Sequence, residues 1–385
     1  MATAPSTSQP VLTYPGAPAA GKRKWPDFVG PTIALVVIFV FFMFTVPEWT
    51  RSDFSSFHAF YEQICRFANF GNIAIILRQS TMTGVAALGV TFIIIAGGID
   101  LSAGSLAALV CTLVAVVLQS GTPAASALQS NPLLIPLLAV TVGIAVGVLC
   151  GLINGALITS LKIVPFIITL GTMMIFRGTA KYFGHETNVP TARNWLWAIM
   201  GNPDEHGIAW LIFPPAIWIT LFLAVLMALI LNYSRFGRHV IAIGSNENTA
   251  RLCGINVERT KLIVYTLGGL FVGIAGLFFY SRLTQGSPTC ADAFELDVIA
   301  SVVIGGGSLT GGKGSIWGSL IGALILNVIA RGCGQIHIPV FLQHNLPSIF
   351  SNPTGLPTYV QQIVTGVIII VAVLLDKLRQ RRNAA

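Results

Sequence analysis

What most constrains this chain is a succession of long apolar runs with almost no charge inside them. They lie near residues 30–46, 72–96, 103–118, 133–160, 164–183, 211–232, 262–281, 296–306, 315–331 and 358–375. About 20 apolar residues cross the hydrocarbon core of a bilayer as one helix. The runs therefore predict an all-α polytopic membrane protein of about ten transmembrane helices. Only 9% of the residues are charged and 54% are hydrophobic, whereas a soluble domain carries about a quarter charged residues. Nothing of that length is left over for a separate soluble domain. The runs at 296–306 and 103–118 are short, which predicts half-helices or broken segments there. Such breaks are tolerated only where protein or water covers the backbone.

The formal net charge of +8 does not point to nucleic acid. The basic residues flank apolar runs instead of forming a patch with interleaved aromatics. Basic loops stay in the cytoplasm. With the N-terminus inside, the inner segments hold Lys22, Arg23, Lys24, Lys162, Arg235, Arg238, Arg251, Arg259, Lys261, Lys313, Lys377, Arg379, Arg381 and Arg382. That is most of the basic residues, so both termini are expected in the cytoplasm. Residues 1–28, rich in Ala, Pro, Ser and Thr, read as a disordered cytoplasmic tail in preference to a cleaved signal peptide. Residues 29–376 form the transmembrane domain and 377–385 a basic cytoplasmic tail.

One polar island interrupts the apolar pattern at 233–261, NYSRFGRHVIAIGSNENTARLCGINVERTK. Charges at the bilayer centre cost several kcal/mol each, so this loop must leave the membrane. Its basic excess places it inside. Gly244-Ser245-Asn246 reads as a turn with a helix cap, Thr249 to Cys253 as a short helix, and Gly254 as its stop. A short capped helix on the cytoplasmic face suits a grip for another protein, through Gly244, Ser245, Asn246, Glu247, Asn248, Thr249, Ala250, Arg251 and Gly254.

Two outer loops, 184–210 and 332–357, are large. The first carries Arg193, Trp195, Trp197, Asp204 and Glu205, a mix of aromatic anchors and charges suited to transient docking. Interfacial aromatics on an ordered surface loop are the plainer reading. The six cysteines have no CxxC or metal spacing. Cys65, Cys290 and Cys333 fall near the same outer face, where a disulfide or free thiols are both open.

Two glycine-rich segments match each other. Gly97-Gly98-Ile99-Asp100-Leu101-Ser102-Ala103-Gly104-Ser105 parallels Gly305 to Ser315, and Gly155-Ala156-Leu157-Ile158 recurs at 322–325. Gly-interrupted apolar segments in both halves point to a transport pathway at a repeat interface, and five spans per half would invert the second half. Asp100 is an acid embedded between two apolar runs. It reads either as a functional group or as a cap on the helix beginning near Ser102. Gly307-x4-Gly312-Lys313-Gly314 approaches a phosphate-binding loop but lacks the Ser/Thr after Lys and its strand–helix setting. Any ATP must then be hydrolysed by another chain.

The motifs IAGGIDLSAGSLAAL (95–109), VPFIITLGTMMIFRG (164–178), GRHVIAIGSNENTARLCGINVERTKLIVYTLGG (237–269) and ELDVIASVVIGGGSLTGGKGSIWGSLIGALI (295–325) carry a resemblance. The chain resembles the membrane permeases of bacterial sugar ABC importers of the ribose, xylose, arabinose and galactose type. The resemblance implies a multi-pass protein of the inner membrane that is not itself an enzyme and holds no cofactor. It implies a second permease subunit (a homodimer or a similar chain), a cytoplasmic ABC ATPase that uses ATP and Mg, and a periplasmic sugar-binding protein. Asn248-Thr249-Ala250-x3-Gly254 stands in the place of the importers' EAA-x3-G pattern, with Asn and Thr for the first Glu and Ala and with Glu247 one residue earlier.

A neutral sugar needs several hydroxyl partners and weak retention, so small polar groups suit its path. Asp100, Ser102, Asn154, Thr169, Ser308 and Asn327 are the candidates, while close helix packing accounts for most glycines. A stand-alone secondary transporter or channel for a small neutral solute is the alternative. It lacks a second embedded charge and leaves the cytoplasmic loop without a partner. An intramembrane enzyme has no His/Asp/Glu or Ser–His constellation to support it.

Overall fold

The computed structural model describes residues 28–46, 57–119, 133–207 and 210–336, with parts of 356–374. The N-terminal tail to residue 27, the basic C-terminal tail and most of the 332–357 loop lie outside the described residues. The helices are α1 Val29–Thr45, α2 Phe57–Cys65, α3 Phe70–Ile95, α4 Ala103–Leu118, α5 Leu134–Leu161, α6 Pro165–Phe183, α7 Pro215–Tyr233, α8 Arg235–Ser245, α9 Glu247–Leu252, α10 Val257–Leu283, α11 Phe294–Ile304 and α12 Ile316–Cys333. A further apolar helix, Tyr359–Ile368, follows. Five of the described helices are long and apolar enough to cross a membrane, and shorter apolar ones accompany them. Each apolar run of the sequence coincides with a helix. Their starts follow local chemistry. Asn69 Oδ1 accepts from Asn72 N at 2.7 Å to open α3, and Pro165 and Pro215 occupy the first positions of α6 and α7, where the missing N–H is not needed.

Helix α3 is the axle of the fold. Every residue from Ser80 to Ile95 is buried, as expected of a helix that is apolar all round. Around it, glycines allow backbones to touch. A Cβ on Gly147 of α5 would lie 2.6 Å from Gly269 O of α10, and one on Gly89 of α3 would lie 3.0 Å from Gly268 Cα. Small residues at four-residue spacing are how membrane helices approach closely. All six cysteines are free thiols, which closes the disulfide alternative.

Two short helices start at a shared depth and run to opposite faces. The Glu295 carboxylate, in the first turn of α11, sits over Gly104, in the first turn of α4. From there α4 runs along α10, with Gly276 against Val110 and Gly286 against Ala115, toward the C-terminal end of α10. Helix α11 runs the other way, to a loop whose Gly311 packs on Gly97 at the end of α3. At 1.5 Å per residue α11 is only about 16 Å long, the half-helix expected from its short run. The two short helices therefore run antiparallel to each other.

The glycine match has a different meaning from the one its sequence suggests. At the end of α3, Ala96, Gly97 and Gly98 donate to Phe92, Ile94 and Ile93 carbonyls. At the end of α11, Gly305, Gly306 and Gly307 donate to Ser301, Val303 and Val302. Gly97 (φ 79°) and Gly306 (φ 94°) both hold the left-handed conformation that such a helix stop requires. The register is thus Gly97 on Gly306, and both helices end on the same face. The repeated cap relates two parallel segments, not the two inverted halves.

Candidate functional site

Four of the polar residues singled out in the sequence converge where α4 begins. Asp100 Oδ1 accepts from the Ser102 amide at 2.8 Å and the Ser102 hydroxyl at 2.7 Å. Asn154 of α5 donates to Ser102 Oγ at 2.9 Å, and Thr169 of α6 donates to Ile99 O at 3.3 Å. All four are buried. Asp100 thus closes a turn just ahead of α4. It serves as a cap one step earlier than the sequence suggests, because its carboxylate holds Ser102 and not the helical amides. Ser308 and Asn327 lie elsewhere: Ser308 pairs with Thr310 at 2.8 Å in the loop after α11, and Asn327 bonds back to Ala323 O at 2.9 Å on α12.

The structure adds groups that sequence reasoning missed. Tyr265 of α10 presses its phenol against Gly98. Its hydroxyl, Asn154 Oδ1 and Glu295 Oε2 are buried without a hydrogen-bond partner among the described residues. Buried polar atoms without partners are costly, so this neighbourhood is built to meet something polar. Beside it, Arg177 of α6 donates to the Pro288, Cys290 and Ala291 carbonyls at 3.1, 2.8 and 3.4 Å and pairs with Asp292 at 3.0 Å. It clamps a turn in which Ala291 (φ 58°) and Ala293 (φ 59°) both sit in the left-handed region, a strained state for a residue with a Cβ. The Asp292 side chain is 72% exposed. A charge on the flank of a membrane protein is disfavoured in lipid, so this face calls for water or a second chain. The available signal was Arg177 itself, a cation inside an apolar run.

On the opposite face the polar island is ordered as two helices. Gly244 and Ser245 end α8 and do not form a turn, and α9 starts at Glu247 instead of Thr249. Asn246 Oδ1 accepts from Thr249 N at 3.0 Å. Gly254 (φ 81°) stops the helix, with Ile255 N on Ala250 O at 3.1 Å. Ala250 is buried with Ile243 and Val257, while Leu252 is 88% exposed at the tip. Glu247 bridges Arg251 (3.5 Å) and Lys261 (2.7 Å), and Arg251 also reaches Glu258 at 2.6 Å. The Glu258 hydrogen bond, then the field of Glu247, raise the Arg251 pKa above its ordinary value. Gly244 packs so tightly that a Cβ would overlap Ile95 O and lie 2.5 Å from Gly312 N. Gly312 N in turn donates to Ile95 O at 2.8 Å.

The 184–210 loop is pinned to the end of α10. Val189–Pro190 pairs antiparallel with Gln285–Gly286, and Ser281 Oγ donates to Leu196 O at 2.6 Å and accepts from Met200 N at 2.9 Å. Trp197 turns inward and donates to the Tyr280 hydroxyl at 3.3 Å, so it is a strut and not a surface anchor. Arg193, Trp195, Asp204 and Glu205 are exposed.

Comparison with known proteins turns this architecture into an identity. A family model described as "Branched-chain amino acid transport system / permease component" matches residues 72–373. The chain belongs to this permease family. It is 40% identical over 308 residues to the ribose import permease protein of Bacillus subtilis (strain 168), covering 80% of this chain and 84% of that protein. The ribose import permease protein of Escherichia coli (strain K12) is 35% identical over 323 residues, 82% and 88% of the two chains. The L-arabinose transport system permease protein of the same strain is 35% identical over 315 residues, 82% and 85%. No solved structure matches it. The permease is thus a multi-pass membrane component of an ABC import system and not an enzyme. The matched region contains α3 to α12, including both half-helices and the α8–α9 segment.

Proposed function

We propose that this permease imports a sugar or related polyol, delivered by a periplasmic binding protein and driven by ATP that a separate cytoplasmic ATPase hydrolyses. The observation that carries this reading is the identity to ribose and arabinose permeases across more than four-fifths of their lengths. Helix α9 is the element that docks on the ATPase: it is short, capped at both ends, braced by its ion pairs, and it offers Leu252 to a partner. Lys162, Arg235, Arg238, Arg251, Arg259, Lys261 and Lys313 share its face, which supports a cytoplasmic placement of that face and of both termini. The substrate passes between two permease subunits, beside the meeting point of α4 and α11, where Asp100, Ser102, Asn154 and Thr169 gather and Asp292 is exposed. The outer loop residues Arg193, Trp195, Asp204 and Glu205 face the incoming binding protein.

The deciding experiment is reconstitution of the permease with its ATPase and binding protein in proteoliposomes. ATP-dependent accumulation of labelled ribose or arabinose, with none of leucine, is expected. Uptake of leucine without either pentose would overturn the sugar assignment. Uptake without an ATPase would return the chain to the stand-alone transporter reading.

A further inference from the structure

At the outer end of the molecule, α3 and the stretch ending at Pro214 enclose a cavity of about 370 Å³, within the range of roughly 300–1,000 Å³ usual for small-ligand sites. Its walls include Phe70, Ile75, Arg78, Asp204, Glu205 and Ile212. One wall is apolar and the other holds a guanidinium and two carboxylates. Among the described residues the Arg78 guanidinium makes only two hydrogen bonds, to Met200 O and Asn202 Oδ1, each at 3.5 Å. It has no acidic partner within ion-pair distance among the described residues. Glu205 accepts from Asn202 at 2.9 Å, and neither Glu205 nor Asp204 meets a cation among the described residues. A cation and two anions that face one cavity without pairing form a mould for a ligand carrying both charges.

The depth of the cavity says what kind of ligand reaches it. Helix α3 is about 39 Å long at 1.5 Å per residue and the hydrocarbon core is about 30 Å thick, so the first turn of α3 stands at headgroup level, and the Arg78 side chain reaches from about two turns below it to Met200 and Asn202. Phe70 is 59% exposed, Trp210 79% and Ile212 66%. Exposed aromatics mark the boundary between lipid and water.

We propose that this cavity seats the headgroup of a phospholipid of the outer leaflet that carries a primary ammonium. Its phosphate lies on Arg78, its ammonium between Asp204 and Glu205, and its glycerol and first methylenes along Ile75 and Ile212. Asp204 and Glu205 also stand on the face proposed for the binding protein, and the test below uses the permease without that protein, so the two readings fail separately.

Native mass spectrometry of the detergent-purified chain tests it. The protein is offered equal amounts of phosphatidylethanolamine, phosphatidylglycerol and phosphatidylcholine with identical acyl chains. Retention of phosphatidylethanolamine should exceed that of either other lipid by about tenfold or more, the scale of one hydrogen bond to a charged group. Arg78→Gln should reduce retention of phosphatidylethanolamine and phosphatidylglycerol alike. The exposed pair Asp204→Asn with Glu205→Gln lies outside the α-helices and should erase the preference over phosphatidylglycerol while sparing phosphate binding. Equal retention of all three lipids by the wild type, or a preference for phosphatidylglycerol, overturns the proposal. So does a preference for phosphatidylethanolamine that the Asp204–Glu205 double variant keeps in full.

Discussion

After Gly97 the chain crosses residues 98–102 to reach α4, and after Gly306 it crosses 307–315 to reach α12. The two crossings leave identical helix stops and then part company. The first is held by side chains: Asp100 on Ser102, Asn154 on Ser102, Thr169 on Ile99 O. The second is held largely by backbone: Ser308 N on Lys313 O at 3.1 Å, Gly311 N on Ser308 O at 3.0 Å, and Gly312 N on Ile95 O at 2.8 Å. In the proposed transport reading the first crossing meets the solute, and the second, which abuts α8 at Gly244 and Ser245, passes on motion. A side-chain lock can be retuned by substitution; a backbone lock is set by shape.

The contrast can be broken most directly at Gly244. Gly244→Val would drive a side chain into Ile95 O and Gly312 N. Binding-protein-stimulated ATPase activity and uptake are both expected to vanish, even in preparations where the protein still elutes as a folded species. Normal coupling in this variant would mean that the junction is not tight in the working protein. Next in size is Asp100. Asp100→Ala removes both acceptor bonds of a carboxylate, and hydrogen bonds to charged groups are worth roughly 1.5–3 kcal/mol each. Uptake is expected to fall by about tenfold or more, and Asp100→Asn, which keeps an acceptor, should recover most of it. An Asn variant as poor as Ala would argue for a direct role of the charge.

Smaller effects sharpen the same contrast. Gly97→Ala meets no atom within 4 Å of the added Cβ. Its cost is the left-handed backbone alone, about 1–2 kcal/mol, visible as a modest drop in melting temperature in detergent with coupling intact. Smallest of all is Ser308→Ala. If the second crossing is held by its backbone, losing the Ser308–Thr310 bond should cost no more than about 1 kcal/mol and leave uptake unchanged. A large loss there would put a side-chain lock on both sides.

The helices were legible because the apolar runs have sharp edges and the caps use ordinary signals, Asn69, Pro165, Pro215 and Gly254 among them. Even the α11 half-helix declared itself by its length. The Asp100 turn was legible because an acid in an apolar run has few explanations. The turn before α11 was not. Its left-handed positions are Ala291 and Ala293, which carry no glycine to announce them, and the residue that holds them, Arg177, is more than a hundred positions away. Gly244 was read as a turn because glycine usually signals backbone freedom. Here it is needed for the absence of a side chain, which only the neighbouring chain reveals. Trp197 looked like a surface anchor because sequence does not say which way an indole faces.

The contact of Gly244 with Ile95 O and Gly312 N has a consequence for how such a machine can diversify. A transmission whose parts meet peptide against peptide has no slack and no adjustable teeth. Every variant that survives inherits the same stroke. In the proposed reading the crossing after Gly97 carries no such restriction, since the bonds of Asp100, Ser102, Asn154 and Thr169 are made by side chains and not by peptide packing. If the proposed drive holds, a lineage built on this plan is free to change what it carries while keeping its stroke fixed.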